Sequence, residues 1–322
     1  MDLVINMNKD SKIFVAGHQG LVGSAIVREL LSQGYTNILT KTKHELDLKH
    51  QLNVDDFFVN EKPDYVFLAA AKVGGIGFNQ RSPADFIREN LQIQTNVIDA
   101  AYRNGCKKLL FLGTACIYPK LAPCPIKEEY LMTGPLEPTN EGYALSKIVG
   151  YQMCKKYTEQ YGFPTVSVMP NNLYGINDNF KVDQCHVIPS FINRFIAAKE
   201  NNEPEIVCFG DGSAIREFLF SDDLAKALVF LMNTYNDATI INIGPHNGEV
   251  TIKTLAELIA RLVGYEGKIV WDTTKPNGTP KRILDVSRIE SLGWKSTTSL
   301  EDGLKFTIEW FLESRKNGNV RV

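Results

Sequence analysis

The sequence predicts an α/β fold, with a doubly wound parallel sheet followed by a second, smaller domain. Up to about residue 172, short apolar runs rich in β-branched residues alternate with stretches whose apolar residues recur at helical spacing. This alternation is typical of a parallel sheet covered by helices on both faces. A glycine-rich turn joins the first apolar run to the first helical stretch. Beyond residue 172, prolines and glycines divide the chain into shorter pieces.

The individual elements follow from these patterns. Strands of the sheet are expected at residues 12–16, 38–39, 65–71, 108–113 and 165–169. Helices are expected at residues 21–31, 54–59, 84–104, 143–161, 223–233, 251–263 and 300–316. The segment KPNGTPKR, residues 275–282, is expected to form turns. We therefore expect a first domain over residues 8–172, rejoined by segments near 220–245, and a second domain over residues 173–316.

The composition excludes several classes of protein. Of 322 residues, 44% are hydrophobic and 22% are charged, which allows a buried core and excludes a disordered chain. The formal net charge of −2 lacks the basic excess of a nucleic-acid binder or of a segment that binds anionic membranes. No apolar run approaches the roughly 18 residues of a membrane span.

The cysteines and the N-terminal segment bear on the cellular compartment. The six cysteines form no C-x-x-C pair, and their spacing supplies no four-ligand zinc set, so we expect free thiols and no metal. The N-terminal segment shows no signal-peptide pattern. These features favour a cytoplasmic protein.

Three glycines with the spacing G-x-x-G-x-x-G, Gly17, Gly20 and Gly23, stand between the first strand and the first helix. Glycines let a backbone approach a pyrophosphate, and the N-terminus of the following helix stabilises its charge. The alternative is a purely structural turn, but the strand before it and the helix after it favour a dinucleotide site.

Basic residues follow the second predicted strand. Lys41 and Lys43 stand where an acidic residue would accept hydrogen bonds from the ribose of NAD, and they suit the 2′-phosphate of NADP instead. The alternative is a pair of solvated surface lysines, and the sequence does not decide between them. Asp47 and Leu48 are candidates to close over the adenine.

Tyr143 and Lys147 form a Y-x-x-x-K pair on one face of a predicted helix. An ammonium group beside a phenol lowers its pKa, which would make Tyr143 a usable acid or base near neutral pH. Alone, such a pair is frequent on helix surfaces. Thr114, however, directly follows a predicted parallel strand, at the edge of the sheet where ligands bind, and its hydroxyl can donate to a substrate carbonyl.

The order of these features along the chain resembles that of the extended short-chain dehydrogenases/reductases: the glycine motif, then Thr114, then Tyr143 and Lys147. Longer segments are similar to the GDP-L-fucose synthase family, whose members are GDP-4-keto-6-deoxymannose epimerase/reductases, and the resemblance runs from about residue 12 to about residue 313. The segments that carry it are AGHQGLVGSAI, LAAAKVGGI, CIYPKLAPCP, EPTNEGYALSK, NNLYG, DNF, HVIP, REFLFSDD and KPNGTPKR.

The resemblance implies a homodimer in which an N-terminal Rossmann domain holds NADP(H) and a smaller C-terminal domain holds a GDP-sugar. It implies that Tyr143 is the acid, that Lys147 is its partner, and that Thr114 replaces the family's usual serine. It places Cys116 and His186 at the two epimerisation residues, although a lone cysteine or histidine is more often structural. The implied substrate-binding residues are Asn172, His186, Val187, Arg194, Phe209, Arg216 and Arg282, with the arginines near the nucleotide and Phe209 against guanine.

Three positions depart from the family's pattern. Gln19 stands where some members carry an arginine beside the 2′-phosphate, which weakens the case for strict use of NADPH. Thr114 adds a methyl group to the usual serine, and Phe209 stands where some members carry tryptophan. The last two changes leave room for a different sugar.

From these residues we expect an enzyme that uses NADPH to reduce the C4 ketone of a GDP-4-keto-6-deoxy sugar and epimerises C3 and C5, in nucleotide-sugar biosynthesis for surface glycans. One alternative is a reductase that acts on a GDP-4-keto-heptose of a capsule pathway without epimerising it. Another is a non-catalytic protein that senses a dinucleotide, but such a sensor would not need Thr114, Tyr143 and Lys147 together.

Overall fold

The computed structural model describes residues 6–181, 184–275 and 279–320. In chain order the strands are β1 (Ile13–Ala16), β2 (Ile38–Leu39), β3 (Tyr65–Leu68), β4 (Lys108–Leu112), β5 (Thr165–Pro170), β6 (Asn172–Tyr174), β7 (Glu205–Phe209), β8 (Ile215–Arg216), β9 (Phe218–Phe220), β10 (Ile241–Ile243), β11 (Val250–Thr251), β12 (Lys268–Asp272) and β13 (Lys281–Arg282). The helices are α1 (Leu21–Ser32), α2 (Gln51–Glu61), α3 (Ile76–Arg81), α4 (Pro83–Arg103), α5 (Glu141–Tyr161), α6 (Val187–Glu200), α7 (Ser221–Thr234), α8 (Ile252–Val263), α9 (Ser287–Ser291) and α10 (Leu300–Lys316).

The central sheet has six strands in the order β10-β5-β4-β3-β1-β2, and all its pairs are parallel. β1, β3, β4 and β5 are buried along their whole length, because helices cover both faces. One face packs on α1 and α7, and the other packs on α2, α4 and α5. The α/β fold with a parallel sheet is therefore confirmed.

The remaining strands form small sheets around a third apolar core. β12 pairs with β7, β6 pairs with β9, and β8 lies between β11 and β13. α6, α8 and α10 contribute most of this core. Of the segment KPNGTPKR, residues 276–278 lie outside the described residues, and its last two residues form β13. Within the described ranges, no helix is long and apolar enough to cross a membrane.

One long helix was not among the predicted elements. α6 contains Pro189, which the sequence analysis treated only as a breaker of structure. Pro189 is the third residue of α6, in the first turn, where the backbone N–H has no partner within the helix and its loss is tolerated. A proline is therefore compatible with this helix because it stands in the first turn, and the apolar periodicity of the sequence does not show where the helix begins.

Candidate active site

The glycine loop between β1 and α1 packs against the end of β3. Gly17 has a φ of +89°, and a Cβ atom there would lie 2.8 Å from the backbone nitrogen of Ala70. A Cβ atom on Gly23 would lie 2.1 Å from the carbonyl oxygen of Gly17. Gly20 caps α1 without a side chain, so the N–H groups of the first turn remain available to an anion. This loop fits the pyrophosphate of a dinucleotide.

Basic side chains lie beyond the end of β2. The Lys41 ammonium is 4.0 Å from the Glu45 carboxylate, and Lys43 is exposed and forms no ion pair with any residue that the structure describes. In the glycine loop, the Nδ1 atom of His18 is buried and has no hydrogen-bond partner in the described part of the chain. Positive or donor groups therefore remain for a phosphate in this region, which fits the 2′-phosphate of NADP.

The loop between β2 and α2 carries the two residues predicted to cover the adenine. The Leu48 side chain is buried, and its carbonyl accepts a hydrogen bond of 2.9 Å from the Asn96 amide. Asp47 is half-buried, and its carboxylate lies 3.7 Å from the ammonium of Lys49. This places both residues beside the strand end that carries Lys41.

Thr114 and Tyr143 meet at the carboxyl end of β4. The Thr114 hydroxyl accepts a hydrogen bond of 3.3 Å from the backbone N–H of Cys116, and so caps a 3₁₀ turn at Ala115–Ile117. Burial raises the pKa of Tyr143 well above its usual range, and the interaction with the Thr114 hydroxyl acts in the opposite direction. Lys147 was expected to lower the pKa of this phenol, but in the protein alone desolvation sets the direction of the shift, and the pKa is raised. A phenol that stays protonated is suited to donate a proton.

Lys147 lies one turn further along α5 and is buried. Its ammonium donates a hydrogen bond of 2.7 Å to the carbonyl of Leu112, at the end of β4, and lies 4.9 Å from the ring centre of Phe111. Burial lowers the pKa of Lys147 to about 7. An anionic or polar group next to Lys147 would restore its charge, because a buried ammonium gains most from a partner.

Cys116 lies in the 3₁₀ turn, two residues after Thr114. Its thiol is half-buried and accepts a hydrogen bond of 3.3 Å from the Nδ2 atom of Asn140. Asn140 ends a second 3₁₀ turn, Pro138–Asn140, directly before α5. Sequence analysis did not single out Asn140, although the segment EPTNEGYALSK contains it. A donor to sulfur stabilises a thiolate more than a thiol.

His186 is the residue that precedes α6 and caps it, and Val187 is the first residue of that helix. His186 is exposed, yet the protein around it desolvates its imidazole and lowers its pKa below the ordinary value. A backbone hydrogen bond of 2.9 Å joins Gly75 to the carbonyl of Gln184, just before His186. This contact connects the segment before His186 with the loop that follows β3. The described residues hold no cluster of three or more His, Cys, Asp or Glu side chains placed to bind a metal ion.

Two arginines stand side by side at the junction of the small sheet and the 3₁₀ turn. Arg216 and Arg282 are register partners in the parallel pair β8 and β13. The Arg282 guanidinium donates a hydrogen bond of 2.6 Å to the carbonyl of Ala115, and Arg216 donates one of 2.7 Å to the carbonyl of Ile215. Burial, and then the nearby charge of Arg282, lower the pKa of Arg216. Two guanidinium groups this close favour a dianionic ligand such as a diphosphate.

A hydrogen-bonded group lies beside this arginine pair and consists of Asn171, Asn172 and Glu217. The buried carboxylate of Glu217 accepts hydrogen bonds from the Asn171 amide and from the backbone N–H of Leu284. The Asn172 amide donates a hydrogen bond of 3.0 Å to the Glu217 carbonyl. In the parallel pair of β6 and β9, Asn172 is the register partner of Phe218, two residues after Arg216.

Arg194 and Phe209 lie further along the second part of the chain. The Arg194 side chain, on α6, donates a hydrogen bond to the carbonyl of Val207 in β7. The Phe209 side chain, at the end of β7, is 72% exposed. An aromatic ring that exposed is available to stack on a base. Among the described residues, no hydrogen bond or ion pair joins Arg194 or Phe209 to the 3₁₀ turn at Ala115–Ile117.

Comparisons with known proteins agree with this geometry. A family model described as the NAD dependent epimerase/dehydratase family matches residues 13–244. A putative GDP-L-fucose synthase 2 from Arabidopsis thaliana is 58% identical over 96% of this chain and 94% of its own length. A GDP-L-fucose synthase from Escherichia coli strain K12 is 47% identical over 94% of this chain and 97% of its own length.

Among solved structures, a GDP-mannoheptose C4 reductase from Campylobacter jejuni with NADP bound superposes with a TM-score of 0.88. It is 39% identical and covers 95% of this chain and 100% of its own. The glycine loop, the Y-x-x-x-K pair and these matches over nearly the whole chain lead to one assignment. The chain belongs to the NAD dependent epimerase/dehydratase family and, within it, to the GDP-L-fucose synthase family.

Proposed function

We propose that the protein is an NADPH-dependent enzyme of the GDP-L-fucose synthase type, which epimerises C3 and C5 of a GDP-4-keto-6-deoxy sugar and reduces its C4 ketone. The observation that carries this proposal is the meeting of Thr114, Tyr143 and the buried Lys147 at the carboxyl end of β4. The relatives named GDP-L-fucose synthase, at 47–58% identity, support the same substrate.

The cofactor is NADPH, which when bound supplies the hydride. The glycine loop and the N-terminus of α1 would hold its pyrophosphate, and Lys41 and Lys43 would lie near its 2′-phosphate. Asp47 and Leu48 would face the adenine. The reductase from Campylobacter jejuni, a structural neighbour, is described with NADP bound, which supports this choice of cofactor.

In the reduction, Tyr143 donates its proton to the alkoxide that develops at C4 of the sugar. The raised pKa of Tyr143 keeps this proton in place until the alkoxide forms. Thr114 holds the carbonyl oxygen through its hydroxyl. Lys147 lies on the same face of α5, stabilises the phenolate that results and hydrogen-bonds the nicotinamide ribose.

Epimerisation precedes reduction, because the hydrogens on C3 and C5 are acidic only while C4 is a ketone. The Cys116 thiolate removes the proton from the carbon, and the electron pair of that C–H bond moves into an enolate whose oxygen faces Thr114 and Tyr143. His186 returns a proton to the opposite face of the same carbon. The hydrogen bond from Asn140 to Cys116 supports the thiolate.

The GDP part of the substrate would bind to the second part of the chain. Arg216 and Arg282 are placed to hold the diphosphate, with Arg194 at its other side, and Phe209 offers an exposed ring to guanine. Asn172 and Val187 would contact the sugar. We accordingly propose that residues 8–172, with the segments near 220–245, bind the cofactor, and that residues 173–316 mainly bind the GDP-sugar.

A second candidate function is reduction of a GDP-4-keto-heptose without epimerisation. The Campylobacter jejuni relative named as a GDP-mannoheptose C4 reductase favours it, at 39% identity. The higher identity to fucose synthases favours the bifunctional reaction. A non-catalytic dinucleotide sensor has the least support, since it would not require Thr114, Tyr143 and Lys147 at one point.

We also propose that the enzyme works as a cytoplasmic homodimer. On α5, Leu145 and Val149 are 40% and 46% exposed and lie four residues apart on one face, as an interface between helices requires. The six cysteines are free thiols, which suits a reducing compartment. Sedimentation of the purified protein would test the dimer.

One experiment separates the candidates. The protein is incubated with NADPH in D2O, once with GDP-4-keto-6-deoxymannose and once with a GDP-4-keto-heptose, and the products are examined by NMR. The bifunctional enzyme incorporates deuterium at C3 and C5 of the hexose and forms GDP-L-fucose. A reductase alone oxidises NADPH without incorporating deuterium, and a sensor leaves both sugars unchanged.

A further inference from the structure

The segment that leads into His186 is held by a pair of glycines in the loop after β3. The backbone N–H of Gly75 donates a hydrogen bond of 2.9 Å to the carbonyl of Gln184. His186 follows two residues later as the cap of α6, so its backbone is fixed on one side by the helix and on the other by this bond.

The contact leaves no room for a side chain at Gly75, the second residue of the glycine pair Gly74 and Gly75. A Cβ atom on Gly75 would lie 2.6 Å from the carbonyl oxygen of Cys185, which is closer than real Cβ contacts. Gly75 has φ −64° and ψ 173°, a conformation open to any L-residue. Space, and not backbone conformation, therefore requires glycine at position 75.

The glycine pair is itself held in place by a buried side chain. Asn79, only 5% exposed, donates hydrogen bonds of 2.8 Å to the carbonyl of Gly74 and 3.1 Å to that of Gly75. Both bonds close onto the N-terminal end of the short helix α3. The loop is thus rigid at the point where it meets residues 184–185.

The helix that follows the glycine pair lies close to the other half of the proposed epimerisation pair. α3 packs against the 3₁₀ turn Pro138–Asn140, from which Asn140 donates to the Cys116 thiol. The glycine pair and α3 together therefore contact both the segment before His186 and the turn that carries Asn140.

We propose that Gly75 is a positioning residue for epimerisation, which sets the place of His186 relative to Cys116 by seating the Gln184–Cys185 backbone. This rests on the proposed function of Cys116 and His186. Gly75 has no side chain that could take part in the chemistry, and in the proposed function the reduction does not use His186. The glycine pair should therefore matter for proton exchange at C3 and C5 and not for hydride transfer.

The test compares Gly75→Ala with Gly77→Ala, two residues further along α3, where a Cβ atom would meet only the flexible end of Arg81 at 3.5 Å. In Gly75→Ala we expect the rate constant for deuterium exchange at C3 and C5 to fall by roughly tenfold to a hundredfold, the scale of a misplaced catalytic group. Because Val187, next to His186, would contact the sugar, the comparison is made on kcat, and kcat for reduction of a substrate that already has the product configuration should change less than about twofold. Gly77→Ala should behave as the unmodified protein.

A double variant shows whether the effect passes through His186. If it does, Gly75→Ala lowers the exchange rate when it is the only substitution, but lowers it no further when His186→Asn is also present. The effects of two substitutions that act through the same group are not additive. Equal losses of exchange and reduction, or additive losses in the double variant, would mean a general structural role and would overturn the proposal.

A second variant covers the case in which Gly75→Ala does not fold. Asn79→Ala removes both donors to the glycine pair without adding a Cβ atom at position 75, and we expect the same selective loss of exchange. No change, or an equal loss of reduction, would count against the proposal. If the unmodified protein shows no exchange while it oxidises NADPH, the proposed epimerisation itself fails. If the unmodified protein exchanges these protons and the variants do so at the same rate, the proposed epimerisation stands and only the role of Gly75 fails.

Discussion

The Arg282 guanidinium donates a hydrogen bond of 2.6 Å to the carbonyl of Ala115, inside the turn that carries Thr114 and Cys116. Arg282 also lies in register with Arg216 across two short parallel strands. A diphosphate bound between these arginines would therefore be held at a fixed distance from the turn. In the proposed function, Arg282 thus links the binding of the diphosphate to the turn at which the chemistry takes place.

The first prediction concerns proton donation in the reduction. Tyr143→Phe removes the phenol proton and should lower turnover by at least about 100-fold, the usual scale for loss of a general acid. The affinity for NADPH, measured by fluorescence titration, should change little. Tyr161→Phe, at an exposed position on the same helix, is the matched control. Near-normal turnover of Tyr143→Phe would exclude it as the acid.

The second prediction concerns the choice of cofactor. Replacing both Lys41 and Lys43 by Ala should reduce the ratio of kcat/KM for NADPH to that for NADH, since charge-assisted contacts are worth about 1.5–3 kcal/mol each at most. The variant should still use NADH. Lys156→Ala, at an exposed position on α5, should leave the ratio unchanged. Equal use of both cofactors by the unmodified protein would refute a role for these lysines.

The third prediction concerns the nucleotide. Arg216→Ala should raise the KM of the GDP-sugar and weaken GDP binding, measured by calorimetry, by roughly tenfold to a hundredfold, as expected for a lost charge-assisted contact. Arg261→Ala removes an exposed arginine that pairs with Glu301 on the same part of the chain and serves as control. Unchanged GDP affinity in Arg216→Ala would show that the diphosphate binds elsewhere.

The fourth prediction separates the two reactions. Cys116→Ser should slow the incorporation of solvent deuterium at C3 and C5, and His186→Asn should do likewise with some exchange remaining, because each removes one side of the acid–base pair. Both variants should retain hydride transfer to a substrate that already has the product configuration. Loss of that transfer in either variant would place the residue in the reduction instead.

The fifth prediction concerns stability against pH. Burial raises the pKa of Glu217 from 4.5 to about 7. Between these values the folded protein holds a proton that the unfolded chain has released, so the free energy of unfolding falls as the pH rises through this window. Glu217→Gln should remove this fall and stabilise the protein at pH 8 by up to about 3 kcal/mol, with little change near pH 4.

Urea unfolding at both pH values measures the effect. Glu257→Gln, at an exposed glutamate on α8, is the matched control and should leave the profile unchanged. A Glu217→Gln variant that is less stable than the parent at pH 8 would mean that the folded protein favours the ionised carboxylate of Glu217, and that its pKa is not raised.

Much of the fold follows from local patterns in the sequence. The apolar runs at β1 and β4, the glycine loop and the long helices α4 and α5 occur where the sequence places them, because burial on both faces and helical spacing leave clear signals. α6 escaped prediction because its early proline imitates a breaker. The register of β8 and β13, which brings Arg216 beside Arg282, leaves no local signal, since the partners are far apart in sequence.

Less of the site than of the fold could be predicted from the sequence, because most of its contacts join residues that are far apart in the chain. Spacing places Tyr143 and Lys147 on one helix face, but only the packing around α5 shows that burial governs both pKa values. Asn140 and Gly75 lie within family-like segments, yet the contact of Asn140 with Cys116 and that of Gly75 with Gln184 depend on which loops meet. Contacts between segments that are distant in sequence can be identified only once the fold is known.

The return of the chain to the central sheet has a consequence for how the protein forms. β10 completes the sheet beside β5, and α7 supplies the apolar cover of α1, but both follow β7 and α6 in the chain. A nascent chain that ends before residue 241 would leave the buried strand β5 as a sheet edge, and one that ends before residue 221 would also leave part of one face of the sheet open to water. We therefore expect the central sheet to become stable only after α7 and β10 have been synthesised. An isolated fragment that ends before α7 should aggregate.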